Sequence, residues 1–306
     1  MGMLSNGPAG PRSSIRRLPI DPSDILLEDQ VAFITGGGAG IGAGIAVSLA
    51  RFGASVVLAD VDPERADATA AKIEALGRRA LVCETDVRDT DQIRAAVEAA
   101  KHEFDRIDIL VNNAGGVRGR PFLEQSERSW RNHIDINLVS TFAATSAIAP
   151  IMIDAGRGGS IVNIASIEAT RAAPNYAVYA ACKAGMASFT RSMAVELSEH
   201  RIRVNCLMPD MIATPGNHGR MTGPVPEPLP ERPEEIRSAL DRYIPLGHEG
   251  SVEEFAGAAV FLCSKMGSYI TGAMLPVDGG TWAASGWVRS SDGRGFNLFE
   301  PWISGP

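Results

Sequence analysis

The stretch NYAVYAACKAG, beginning at Asn175, carries two tyrosines and one lysine in a run of helix formers. An α-helix turns every 3.6 residues and rises about 5.4 Å per turn, so Tyr179 and Lys183 at i and i+4 share one face, one turn apart. Tyr176 leans toward that face but stands two turns from Lys183, on the order of 10 Å along the axis. Tyr179 is therefore the tyrosine within reach. A phenol whose ordinary pKa is near 10 works as an acid or base at neutral pH only where a cation stabilises its phenolate, and an ammonium one turn away is such a cation. Taken alone, the same residues also describe an ordinary surface helix, so the elements around them decide.

Near the start, TGGGAGIGAGIA places Gly36, Gly40 and Gly42 in a TGxxxGxG spacing, after an apolar run and before an amphipathic one. Glycine lets a backbone approach a pyrophosphate closely, and the following helix turns its N-terminal amides and positive dipole end toward the phosphates. The next apolar run ends at Asp60, 18 residues beyond Gly42. An acidic side chain there can accept hydrogen bonds from both adenosine ribose hydroxyls and repels a 2′-phosphate. The glycine loop holds no Lys or Arg, and Val61 rather than a base follows Asp60. This charge pattern favours NAD over NADP; the plainer alternative is a polar residue closing a strand.

These residues need a frame, and the chain supplies one. At 306 residues and 45% hydrophobic it can bury a sizeable core. VAFIT (31–35), SVVLAD (55–60), ALVCET (80–85), IDILVN (107–112), SIVNIA (160–165) and IRVNCL (202–207) read as strands apolar on both faces. Helical patterns at about 41–52, 63–76, 90–104, 126–153 and 175–200 separate them, VEEFAGAAVFLCSKM adds a helix, and MLPVDGG a last short strand. Repeated βα units predict an α/β fold of Rossmann type: a doubly wound, mainly seven-stranded parallel sheet with helices on both faces, in a single domain.

The net charge of −7 argues against nucleic-acid and anionic-membrane partners, which need a basic surface. Four cysteines without paired spacing and five histidines without a ligand pattern give neither a disulfide framework nor a metal site. The longest uncharged run, LVSTFAATSAIAPIMI from Leu138, is short for a membrane span and suits a buried helix. The cytoplasm is the expected compartment. Residues 1–24, rich in Gly, Pro and Ser, read as a flexible extension, and 25–281 as the domain. Within it, eight prolines between 209 and 245 mark an irregular lid reaching to about residue 250. Residues 282–306 form a tail dense in aromatics, expected to dock on this lid or on a neighbouring subunit.

Taken together these motifs resemble the short-chain dehydrogenase/reductase family, in its single-domain branch of roughly 250 residues, over about residues 28–281. The resemblance rests on TGGGAGIG, Asp86-Val87, Asn112-Asn113-Ala114-Gly115, Asn137, Ser166, Tyr179 with Lys183, the segment Pro209 to Thr214, and VDGG. It implies that Gly36, Gly40, Ile41 and Gly42 hold the pyrophosphate, that Asp60 and Val61 meet the ribose, and that Asp86 and Val87 contact the adenine. Asn113, Ala114 and Gly115 would line the adenosine ribose side, and Pro209, Ile212 and Thr214 would pass beside the nicotinamide. Ser166 would bind the substrate oxygen, Tyr179 would be the acid/base, Lys183 would hold the nicotinamide ribose, and Asn137 would hold a water linking Lys183 to solvent. The implied activity is hydride transfer between NAD(H) and a small secondary alcohol or ketone, by a homo-oligomer, commonly a tetramer.

The chain departs from the family where Pro209 is followed by Asp210 rather than glycine. Its carboxylate either sits beside the nicotinamide, favouring the oxidised ring, or points to solvent as a turn residue. Substrate choice is expected in Gly116-Val117-Arg118, in Glu168 and Arg171, and in the lid, with Arg118 or Arg171 as candidate partners for an anionic group. Two other functions compete: reduction of a 3-oxoacyl thioester, a reaction that usually draws on NADPH, and a non-catalytic NAD-sensing regulator or scaffold on the same fold.

Overall fold

A computed structural model describes residues 19–220, 222–291 and 295–298. Seven strands form one parallel sheet: β1 (Val31–Thr35), β2 (Ser55–Asp60), β3 (Ala80–Glu84), β4 (Ile109–Asn112), β5 (Gly159–Ile164), β6 (Ile202–Pro209) and β7 (Met274–Val277). Their order is β3-β2-β1-β4-β5-β6-β7. The order reverses between β1 and β4, and in a doubly wound sheet the crevice for a ligand opens at that switch, beyond the carboxyl ends of the strands.

Side-chain alternation on β1 shows how the layers form. Ala32 and Ile34 face a cluster with Ile45, Leu49, Ile73 and Phe255, from α1 (Gly40–Arg51), α2 (Pro63–Ala75) and α8 (Val252–Cys263). Val31 and Phe33 face the opposite cluster, with Ile93, Val97, Ile148 and Met152 from α3 (Thr90–Phe104) and α5 (Ser140–Ala155), and Ala194 from α6 (Ala177–Glu196). Burial on both faces explains why the strands read as unbroken apolar runs. The edge strand β3 is only half-buried.

The predicted helix at 126–153 is one continuous helix with an irregularity: α4 (Glu127–Ile134), a π turn over Asp135–Val139, then α5. By length and composition Glu127–Ala155 could cross a membrane, yet half of its most apolar window is buried in the protein.

The proline-rich lid is more ordered than its composition suggests. After Pro233 comes α7 (Glu234–Tyr243), with Glu234 and Glu235 in its first turn where acidic groups favour a helix N-terminus. Proline ahead of a helix fits its fixed φ, so the same residue type that breaks the preceding stretch starts this one. Arg65 on α2 donates to the carbonyls of Gly223 (2.8 Å) and Arg220 (3.3 Å), and Lys72 pairs with Glu227, so the lid folds back over α2.

Of the expected N-terminal extension, residues 1–18 lie outside the described residues, and Pro22–Ile25 form a 3₁₀ turn closed by an Asp21/Asp24 capping box. The described part of the tail docks on the lid. A two-residue hairpin pairs Val288–Arg289 with Phe296–Asn297, Arg289 donates to the Pro245 carbonyl at 2.8 Å, and Arg242 of α7 donates to the Arg289 carbonyl at 3.4 Å. Of the tail aromatics, Phe299 and Trp302 lie outside the described residues.

Candidate active site

The glycine loop between β1 and α1 packs too tightly for any other residue at position 42. A Cβ on Gly42 would stand 2.0 Å from the Gly36 carbonyl oxygen and 2.4 Å from Asn113 Nδ2. Asn113 in turn donates to the carbonyls of Thr35 (3.1 Å) and Gly36 (2.8 Å), while the Thr35 hydroxyl accepts from the backbone of Asn113 (3.0 Å) and Ala114 (3.1 Å). The loop after β4 is thereby locked onto the loop after β1. Helix α1 starts at Gly40 behind Ala39, which gives no side-chain cap, so its first amides stay available to an anion. By contrast α2, α3 and α8 have side-chain caps from Asp62, Asp89 and Ser251.

Asp60 closes β2, and its carboxylate is oriented by two amides, Gly38 at 2.7 Å and Asp62 at 2.9 Å. Beside it Val61 is 62% exposed, an apolar surface at the mouth of the site. Arg65 is committed elsewhere, to Asp62 at 3.3 Å and to the two lid carbonyls. Asp86 is held by Arg88 through a bond from its Nε at 2.9 Å, which keeps the Asp86 carboxyl below its ordinary range, and Val87 is buried next to it. Ile212 is buried, and Thr214 stands against Gly40, 3.4 Å from where a Cβ would sit, so the segment after Pro209 reaches back to the glycine loop.

The second half of the site gathers at the ends of β5 and α6. Ser166 lies two residues past β5, capping the next 3₁₀ turn, with its hydroxyl close enough to the Tyr179 phenol to favour the phenolate. Lys183 is buried one turn along α6; its ammonium donates to the Ile164 carbonyl at 2.8 Å and lies 5.6 Å from the centroid of the Tyr179 ring. Gly115 abuts the same place, since a Cβ there would stand 2.8 Å from Asn137 Oδ1 and 3.3 Å from Lys183 Nζ. Tyr176 is 41% exposed and packs its ring against Gly119, apart from this group.

Asn137 occupies the π turn and is fully buried. Its Oδ1 accepts from the Gly116 amide at 3.1 Å, and its Nδ2 donates to the carbonyls of Gly116 and His133, both at 2.9 Å. Both amide hydrogens are therefore spent on backbone, leaving acceptor capacity on Oδ1 for a water. The extra residue of the π turn aims this side chain at the loop after β4, a common use of such bulges.

Electrostatics in the site differ from the simple pairing read in the sequence. Burial is the main cause pushing the Tyr179 phenol up to about 12; the Ser166 hydroxyl works against it, and the carboxylates of Glu168 and Asp210 add to it. Burial pulls the Lys183 ammonium down to about 8. The protein's own groups thus keep the phenol protonated at neutral pH.

The structure excludes one of the two readings of Asp210. Its side chain is 10% exposed and accepts from the Tyr243 hydroxyl at 2.7 Å, with Arg171 at 3.6 Å, so it is not a solvent-facing turn residue. Arg171 also donates to Glu168 Oε1 at 2.8 Å. With its charge already shared between two carboxylates, Arg171 is a poor partner for an anionic substrate, whereas Arg118 is exposed. Tyr243 entered no sequence reading. Its only signal was the amphipathic pattern EEIRSALDRY behind Pro233.

A switch-point crevice with a tightly packed glycine loop, a carboxylate closing β2 and a serine, tyrosine and lysine gathered at its far end defines a nicotinamide-dependent oxidoreductase. The family profile for enoyl-(acyl carrier protein) reductase matches residues 36–281. The chain is 39% identical over 254 residues to a 3-oxoacyl-(acyl-carrier-protein) reductase of Thermotoga maritima, covering 83% of this chain and 98% of that one. It is 38% identical over 259 residues to a D-threitol dehydrogenase of Mycolicibacterium smegmatis, covering 84% and 94%. Among solved structures, a 7α-hydroxysteroid dehydrogenase complexed with NADH and 7-oxo glycochenodeoxycholic acid superposes with a TM-score of 0.78 at 34% identity, covering 85% and 97%. The chain belongs to the short-chain dehydrogenase/reductase family. It is an oxidoreductase passing hydride between an alcohol or ketone substrate and a nicotinamide cofactor.

Proposed function

We propose that the enzyme uses NAD(H) rather than NADP(H) and interconverts a small secondary alcohol and its ketone, with Tyr179 as the acid/base. The observation that carries the reading is the convergence of Ser166, Tyr179 and Lys183 at the crevice whose other end holds the Asp60 carboxylate.

A bound nicotinamide supplies the hydride acceptor or donor. Asp60, oriented by the Gly38 and Asp62 amides, would take the adenosine ribose hydroxyls and repel a 2′-phosphate. Arg65, the cation on the adjoining first turn of α2, is already satisfied by Asp62 and the lid, which further disfavours a phosphate there. The α1 amides, with Gly36, Gly40, Ile41 and Gly42 around them, would bind the pyrophosphate. Asp86 and Val87 would flank the adenine, and Pro209, Ile212 and Thr214 the nicotinamide end.

Ser166 would hold the substrate oxygen, and Tyr179 would accept the alcohol proton during oxidation or return it during reduction. Lys183 would hold the nicotinamide ribose and favour the phenolate by its charge. Asn137 would fix the Gly116 backbone and keep a water beside Lys183. Removing the negative charge of Glu168 or Asp210 would lower the Tyr179 pKa, so these carboxylates work against the phenolate.

The similarity to the Thermotoga maritima reductase favours a second reading, reduction of a 3-oxoacyl thioester. Asp60 opposes it where that reaction draws on NADPH. The four cysteines are free thiols, which fits the cytoplasm, and assembly as a tetramer is proposed on family grounds. The test is NADH or NADPH formation from NAD+ and NADP+ across secondary alcohols, with reverse reduction of ketones and a 3-oxoacyl thioester. Turnover preferring NAD+ and an alcohol supports the reading. Turnover confined to NADPH and the thioester replaces it, and tight NAD+ binding without any turnover moves the protein to the sensor class.

A further inference from the structure

The end of the sheet opposite the crevice holds a cleft of about 300 Å³, formed where the chain enters β4, β5 and β6 and where it leaves α8. Among the described residues five cations line it, Arg106, Arg157, Arg201, Arg203 and Lys265, against one lining carboxylate, Asp108. The whole chain carries −7, so this concentration of positive charge runs against the overall balance. Asp24 stands 3.8 Å from Lys265, and the charge of Asp29 is felt at Arg106. With both counted, the cations still outnumber the carboxylates.

The partners of these cations show how much of their charge is answered. Arg106 is matched, donating to both oxygens of Asp108 at 2.7 Å, and Asp108 also accepts from the Val31 amide at 3.0 Å. Arg157 has the same carboxylate at 3.9 Å and a side chain that is half exposed. Arg201 is exposed and donates to the Gly156 carbonyl at 3.2 Å. Arg203, at the second position of β6, donates to the carbonyls of Leu262 (2.5 Å), Gly267 (2.9 Å), Cys263 (3.3 Å) and Ser264 (3.4 Å). Its burial pulls the guanidinium below its ordinary value, and among the described residues no carboxylate pairs with it or with Arg201. Carbonyls satisfy the N–H groups of a guanidinium but leave its charge without a counter-charge.

The donors approach from four chain segments rather than in one plane. That arrangement suits a tetrahedral oxyanion better than a planar carboxylate, and guanidinium forks meet phosphate oxygens two at a time. Arg157, Arg201 and Lys265 are all open to solvent, so a ligand reaches them without a rearrangement of the fold.

We propose that this cleft is a second ligand site, separate from the cofactor crevice, and that it takes a small multivalent phosphoryl anion: pyrophosphate or the phosphate group of a phosphorylated small molecule. Arg157 and Arg201 grip the anion from the rim, Arg203 adds charge from deeper in the cleft, and Asp108 keeps Arg106 in place. Because the cleft joins the entries of β4, β5 and β6, occupancy also stabilises the folded chain.

The probe is sodium pyrophosphate, titrated by calorimetry onto the full chain with its nicotinamide cofactor saturating, so that the amides of α1 are already occupied. The parent should bind one pyrophosphate per chain, more weakly as salt is raised. The double variant Arg157→Gln/Arg201→Gln alters two exposed side chains and should bind at least about tenfold more weakly, the scale of a lost charge-assisted contact. Should that variant fold poorly, Lys265→Gln, at a side chain 77% exposed, is expected to weaken binding several-fold. Absence of saturable binding in the parent, an affinity unchanged in the folded variants, or succinate binding as tightly as pyrophosphate would overturn the proposal. The readout needs a bound cofactor but no turnover, so this site stands or falls whatever alcohol the enzyme oxidises.

Discussion

Tyr243, on the helix that ends the proline-rich lid, donates its hydroxyl to Asp210, the residue that follows the last position of β6, at 2.7 Å. This single bond ties the most irregular part of the chain to the rim of the sheet where the family places the nicotinamide. Asp210 stands where the family usually has glycine, and the structure shows what the extra carboxylate holds: a lid tyrosine and Arg171.

Tyr243→Phe removes the hydroxyl and leaves the ring. The Asp210 carboxylate then retains Arg171, so fold stability should fall by no more than about 1.5–3 kcal/mol, the range for one lost hydrogen bond to a charged group. The larger effect should be on KM for the substrate, raised several-fold with kcat little changed, because the lid closes less firmly. Steady-state kinetics decides; an unchanged KM would show that the bond does not hold the lid.

Lys183 gives a prediction about stability rather than rate. Burial lowers its pKa from 10.5 to about 8, so between those values the unfolded chain binds more protons than the folded one and stability rises with pH. Below pH 8 the cost of burying the charge is at full size, on the order of 3 kcal/mol from the 1.36 kcal/mol per pKa unit. Lys183→Met should therefore lose activity yet be no less stable at pH 7, even after forfeiting the bond to the Ile164 carbonyl. A thermal midpoint well below that of the parent would contradict this.

Tyr179 makes the pH dependence of oxidation testable. Its phenol lies at about 12 through burial, with Glu168 and Asp210 adding to the rise. The rate of alcohol oxidation should climb with pH as phenolate becomes available. Glu168→Gln and Asp210→Asn each remove a negative charge and should move the climb to lower pH. A shift to higher pH in either variant would reverse the sign of this electrostatic account.

Asp60→Ser should raise the ratio of kcat/KM with NADP+ to that with NAD+ by about 10- to 100-fold, since it removes both the ribose acceptor and the repulsion of a 2′-phosphate. An unchanged ratio in paired assays would remove Asp60 from cofactor choice.

Much of the frame was legible in the chain because burial on both faces writes itself as uninterrupted apolar runs. β1 and β2 carry the predicted boundaries, and β6 extends two residues further, to Pro209. Tyr179 and Lys183 could be paired from helical spacing alone. What could not be read is tertiary: the π turn that aims Asn137, the Arg171 bridge between Glu168 and Asp210, and the lid contact of Tyr243 join segments far apart in sequence. The effect of burial was also hidden, so spacing suggested a phenol lowered by Lys183, whereas the protein's groups together raise it.

The central claim is that Tyr179 carries the proton. The most direct measurement is kcat/KM of Tyr179→Phe beside the parent, with NADH affinity read by fluorescence titration on both. The account predicts a fall of roughly 10²–10⁴-fold, the scale of general acid/base catalysis, with NADH affinity nearly unchanged. Turnover within a few-fold of the parent in Tyr179→Phe would show that another group moves the proton.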